Sequence, residues 1–166
     1  HNHIGSQVFR VESFAEALAV VATFFGPLDL PELSVGGGLG VAYVEDESAA
    51  TISAWGSMLR EACDRLGVEA RVSAEPGRSI AARAAVTVYT VGTIKDLPGI
   101  RTYVAVDGGF GDNPRPVLYG SDYTTFVPDR ADAPRPRRAR VVGRHCESGD
   151  VIVRDGPIPT DLTVGD

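Results

Sequence analysis

The residues with chemical reach fall in short, separated stretches. In HNHIGSQ, residues 1–7, His1, His3 and Ser6 could each contact a cofactor: His3 offers a flat ring that can stack on a planar ligand, and Ser6 offers a hydroxyl to an anionic group such as a phosphate. The same residues suit plainer roles, Ser6 at a helix N-terminus and both His1 and His3 in solvent. Gly36, Gly37 and Gly38 follow a predicted strand, where bare backbone N–H groups can close on an anion. A tight strand-to-helix turn would also need them. They are not a dinucleotide fingerprint, because Val41 stands where its last glycine is required.

Glu75-Pro76-Gly77-Arg78 also ends a predicted strand. A carboxylate fixed there can hold a protonated ring nitrogen, and Arg78 can bind a phosphate or carboxylate. A surface turn with a local ion pair is the alternative. In Arg144-His145-Cys146-Glu147-Ser148-Gly149-Asp150, a thiol stands beside basic residues and a carboxylate, an arrangement suited to proton donation. A zinc site from His1, His3, His145 and Cys146 has no CxxC or HxxxH spacing behind it. Cys63 falls mid-helix and reads as a buried thiol.

The elements that must carry these groups change character along the chain. Ser13–Phe25 reads as a helix, with Phe14, Leu18, Val21 and Phe25 at helical spacing, a Ser13/Glu16 capping box and Gly26-Pro27 as its stop. Glu32–Val35 is a strand. A second helix starts at Ser48, with Ile52, Trp55, Leu59, Ala62 and Leu66 on one face and Gly67 as its stop. Val68–Ala74 is a further strand. This alternation predicts a parallel sheet flanked by helices. Beyond about Ile80, β-rich runs separated by turns predict an antiparallel β-domain: 86–91, 101–106, 117–119, 123–127, 140–142 and 151–153. The boundary is placed between Arg78 and Ala85, giving domains 1–80 and 81–166.

Composition narrows the class of function. The 166 residues are 43% hydrophobic, enough for a real core, and the net charge of −6 argues against nucleic acid or an anionic membrane as partner. Pro134-Arg135-Pro136-Arg137-Arg138 is basic but interrupted by proline and follows Asp129 and Asp132, so it reads as a solvated loop. Two cysteines are too few for a disulfide framework and suit a reducing, cytoplasmic setting. No apolar run approaches the roughly 18 residues of a membrane span, and no signal peptide is visible. Lys95 is the single lysine.

Taken in order, HIGSQ, GGGLG, EPGRS, VDGGFGDNPRPVLYG and CESGD resemble the landmarks of the diaminopimelate decarboxylases, and the likeness runs from His1 to Asp166. The resemblance implies a β/α barrel that binds pyridoxal 5′-phosphate (PLP), then a β-domain, in a homodimer. It implies cofactor contacts from His3, Ser6, the Gly36–Gly38 amides and Glu75, the last at the pyridine nitrogen. Arg78 would bind the cofactor phosphate or the substrate. Arg115, Tyr119 and Glu147 would hold the distal end of diaminopimelate, and Cys146, supplied across the dimer, would protonate the substrate carbon.

The chain also departs from the family pattern. The lysine that anchors the cofactor belongs to the first barrel strand, upstream of His1, and no family motif covers Lys95. The C-terminal glycine-alanine-tyrosine segment is missing as well. The expectation is therefore an internal piece of an enzyme: the end of the barrel, comprising strands seven and eight with the tip of strand six, and most of the β-domain, inactive by itself. Two rivals remain. One is an ornithine or arginine decarboxylase of the same fold, disfavoured by Arg115 with Glu147. The other is a non-catalytic dimerising module, disfavoured by the presence of Cys146, Glu75 and Arg115 together.

Overall fold

The computed structural model describes residues 1–166 and divides into two compact units, His1–Val86 and Thr87–Asp166. In the first unit, helix α1 (Glu12–Phe25), strand β1 (Glu32–Ser34), helix α2 (Ile52–Leu66), strand β2 (Arg71–Ser73) and short helix α3 (Gly77–Ala81) follow one another. β1 and β2 pair in parallel, Leu33 opposite Val72. The segment 2–8 runs alongside them: the Asn2 N–H donates to Ser34 O at 2.9 Å, the Val8 N–H to Gly38 O at 2.9 Å and the Gly40 N–H to Val8 O at 2.9 Å. Parallel direction brings the C-terminal ends of neighbouring segments to one edge, where ligands of such sheets bind. That edge carries His3–Ser6, Gly36–Gly38 and Glu75–Arg78.

The core of this unit is the apolar face of each helix against the sheet. Phe14, Leu18, Leu33, Leu39, Trp55, Leu59 and Ala62 are buried together, with Phe14 and Trp55 edge to face at 5.4 Å. α1 starts without the expected capping box: Val11 is its N-cap with no side-chain bond, and Glu16 instead receives the Arg10 guanidinium at 3.0 Å. α2 starts at Ile52 rather than Ser48, because the Thr51 hydroxyl caps the Ala54 N–H at 3.0 Å. It ends at Gly67, whose left-handed φ of 66° closes the last turn.

The second unit is a four-stranded sheet in the order β3–β4–β5–β6: Val91–Leu97, Arg101–Val106, Arg137–Val142 and Val151–Ile158. It corrects the antiparallel expectation, because β4 and β5 are parallel. Such a pair needs a long crossover, supplied by residues 107–136. The expected strand at 117–119 is instead helix α4 (Arg115–Tyr119), set by Pro116 in its first turn and left-handed Gly120 after it. The expected strand at 123–127 is irregular chain. The strand expected at 86–91 begins only at Val91, where β4 offers a partner, and Val86 and Val88 are exposed. Lys95, expected between strands, lies within β3 opposite Tyr103.

The core here comprises Val91, Val104, Val106, Ala139, Val141, Ile152, Val153 and Ile158. Because β4 and β5 run the same way, their following loops, 107–113 and 143–150, leave from one edge of the sheet. No helix in either unit is long and apolar enough to cross a membrane.

Candidate functional site

In the first unit, three sequence stretches meet side chain to side chain. Arg78 donates to Ser6 Oγ at 2.8 Å and to Tyr43 Oη at 2.9 Å. Its Nε is buried and has no protein partner. A guanidinium flanked by two hydroxyls and keeping an unused donor is a set that fits a phosphate dianion. Glu75 Oε1 accepts from Ser34 Oγ at 2.7 Å and meets His1 Nε2 at 2.9 Å, while its side chain stays half exposed. That is an oriented, accessible carboxylate, as a protonated ring nitrogen requires. The sequence does not single out Tyr43, and it offers His1 as a cofactor contact or zinc ligand rather than as a partner of Glu75. Tyr43, five residues past the glycines, carried only its residue type as a signal.

The glycine run has two uses in the fold. The Gly37 N–H donates to His3 Nδ1 at 3.2 Å, which leaves the proton of the neutral ring on Nε2 and fixes the ring beside the glycines. The Gly36 N–H donates to Ser34 Oγ at 3.2 Å. Two of the three amides are thus engaged within the protein. The glycines also let neighbouring chain approach. A Cβ on Gly36 would strike the Asn2 carbonyl oxygen, one on Gly37 that of Glu75, and one on Gly38 that of Gly5. Gly36 and Gly38 have φ of 68° and 102°, values that side chains resist.

In the second unit, the two loops at one sheet edge bind each other. The Arg144 N–H donates to Gly108 O at 2.9 Å, and the Phe110 and His145 rings lie 4.5 Å apart. The Asp150 carboxylate accepts from the Phe110 N–H at 2.6 Å, and from the backbone N–H and ring Nδ1 of His145 at 2.8 Å each. Burial raises the pKa of this acid, but those donors outweigh it, and Asp150 titrates below the usual aspartate range. Cys146 and Glu147 stand exposed on the same loop. Arg115 on α4 is held by Tyr123 Oη at 3.2 Å and Ser121 Oγ at 3.3 Å, and lies 5.6 Å from the Tyr119 ring centroid. Tyr119 is exposed. No group of three or more His, Cys, Asp or Glu side chains is arranged to hold a metal ion.

Comparison with known proteins agrees with this architecture. Residues 19–166 match the family described as pyridoxal-dependent decarboxylase, C-terminal sheet domain. The chain is 40% identical to a diaminopimelate decarboxylase of a Synechocystis species, over 96% of this chain and 36% of that protein. It is 40% identical to the diaminopimelate decarboxylase of Corynebacterium efficiens, over 100% of this chain and 39% of that one. The crystal structure of the Helicobacter pylori diaminopimelate decarboxylase complexed with L-lysine superposes with a TM-score of 0.81 at 32% identity, covering 99% of this chain and 40% of that one. The chain thus spans about two fifths of the length of these relatives.

Proposed function

This chain belongs to the pyridoxal-dependent decarboxylase family, and from that premise we propose that its parent protein decarboxylates meso-diaminopimelate to L-lysine and CO₂. The observation that carries the proposal is the convergence of Ser6, Arg78 and Glu75 at one sheet edge, with the buried Arg78 Nε left unpaired. In this reading residues 1–80 are the last part of a β/α barrel and residues 81–166 most of a β-domain. The parent works in the cytoplasm as a homodimer whose active sites are completed across the subunit interface.

The residues at the first unit's edge would hold PLP. Arg78 and Ser6 would bind its phosphate beside the Gly36–Gly38 run, whose Gly36 and Gly37 amides are taken by Ser34 and His3, and His3 would stack on the ring. Glu75 keeps a proton on the pyridine nitrogen. The cofactor, when bound, supplies a sink for the electron pair left on the α-carbon as CO₂ departs.

The other residues act on the substrate. Diaminopimelate carries an amino-acid group at each end. Arg115 and Tyr119 hold the distal carboxylate, and Glu147 the distal ammonium. In the alternative assignment Arg78 binds the substrate instead of the phosphate. Cys146 gives its thiol proton to the carbon that lost CO₂, so one proton replaces one CO₂. The isolated chain has no anchoring lysine in this scheme and is inactive.

The test is CO₂ and lysine production by the full-length protein supplied with PLP. Equimolar lysine and CO₂ from meso-diaminopimelate, with ornithine and arginine turned over at least about 100-fold less efficiently, is the expected result. Preferential turnover of ornithine or arginine would replace the substrate assignment, and no CO₂ from any of the three would leave a non-catalytic partner as the better reading.

A further inference from the structure

The loop that presents Cys146 and Glu147 is organised around a carboxylate to which the proposed chemistry gives no task. Asp150 is only 3% exposed, yet charged. A buried charge is tolerated when donors surround it, and Asp150 has three. The Phe110 N–H reaches it from the 107–113 loop, and the His145 backbone N–H and ring Nδ1 reach it from the start of its own loop. Two glycines make room for the carboxylate. A Cβ on Gly109 would lie 2.7 Å from both of its oxygens, and one on Gly143 would collide with it. Between the two ends, the Glu147 N–H donates to His145 O at 2.8 Å and the Asp150 N–H to Glu147 O at 3.0 Å. The segment from Cys146 to Gly149 is therefore closed at both ends by one side-chain pair.

We infer that His145 and Asp150 are positioning residues for Cys146 and Glu147. The ring Nδ1–H of His145, donated to Asp150, clamps the loop so that thiol and carboxylate are presented in one fixed orientation. The inference rests on the roles proposed above for Cys146 and Glu147. Neither clamp residue is assigned a contact with substrate or cofactor.

The test compares His145→Ala, His145→Asn and Asp150→Asn in the full-length, PLP-loaded protein. Asparagine places an N–H near the position of ring Nδ1, while both His145 variants lose the contact with Phe110, so the pair isolates the hydrogen bond. His145→Ala is expected to lower kcat at least about 10-fold and to raise KM at least about 3-fold, because proton delivery and substrate binding are both misaligned. His145→Asn should stay within about 3-fold of the parent in both. Amide hydrogen exchange of residues 143–150 should quicken at least about 10-fold in His145→Ala and stay near the parent rate in His145→Asn. Asp150→Asn, if it folds, should behave like His145→Ala. An asparagine variant as impaired as the alanine one, or an alanine variant like the parent, would overturn the inference. If the unmodified protein releases no CO₂ from diaminopimelate, the functional reading fails separately, and the exchange comparison alone supports or overturns the clamp.

Discussion

Gly37 and Asp150 show how single residues serve both the fold and the candidate chemistry. Gly37 holds the His3 ring through its N–H and lies against the Glu75 carbonyl. Because the obstructing atom is backbone, Gly37→Ala is expected to destabilise the full-length protein by about 3 kcal/mol, measured by denaturant unfolding. For Asp150, the folded pKa lies below the ordinary aspartate value of 3.8. The unfolded chain then takes up the proton more readily, so the stability that Asp150 contributes is complete above that value and is lost as pH falls through the lower folded one. The stability deficit of Asp150→Asn should accordingly be largest at neutral pH and shrink below about pH 4. A deficit unchanged down to about pH 2 would show that its charge is not what stabilises the loop. The sequence made Glu75 and Arg78 readable as site residues because a strand end precedes them. It hid the Asp150 clamp, since Phe110 is forty residues away in the chain and a long-range pair leaves no local period. Asp150 at the end of Cys-Glu-Ser-Gly-Asp reads locally as a turn residue.

Among the elements, periodicity located the helices and misjudged their starts. The apolar face from Ile52 to Leu66 marks α2 well, but its N-terminus is decided by one hydroxyl, that of Thr51. Thr51→Ala should cost about 1 kcal/mol of stability in the same unfolding measurement. β-Branched content misled at 86–90 and at 117–119. A strand exists only where a partner pairs with it, and Val117-Leu118-Tyr119 lies between Pro116 and Gly120, whose backbone preferences favour a single helical turn. That turn carries Arg115, and Arg154 braces it by donating to Gly120 O at 3.0 Å and Pro116 O at 3.2 Å. Arg154→Ala is expected to raise KM for diaminopimelate several-fold with little change in kcat, because it would loosen the substrate contacts proposed for Arg115 and Tyr119 and leave the proposed proton donor untouched. An unchanged KM would separate α4 from substrate recognition.

For the whole molecule, the shift from a helix-flanked parallel sheet to a β-sheet unit is legible in the spacing of apolar residues. The mixed topology of the second sheet is not, because strand direction depends on a crossover that composition does not reveal. The family match spans residues 19–166, across the division at Val86 and Thr87. Val20, Phe24, Leu28 and Leu30 are exposed in the first unit, and Val117, Leu118 and Tyr119 in the second. Apolar surface of this kind marks a face that another chain or another part of the parent protein covers. In the proposed enzyme the first unit would shape a cofactor site whose covalent anchor lies elsewhere in the parent protein. The most direct measurement is borohydride reduction of the PLP-loaded full-length protein, followed by peptide mass mapping. Label on a lysine outside these 166 residues, with Lys95 unlabelled, is the predicted result. Specific label on Lys95 would contradict the assignment of the site.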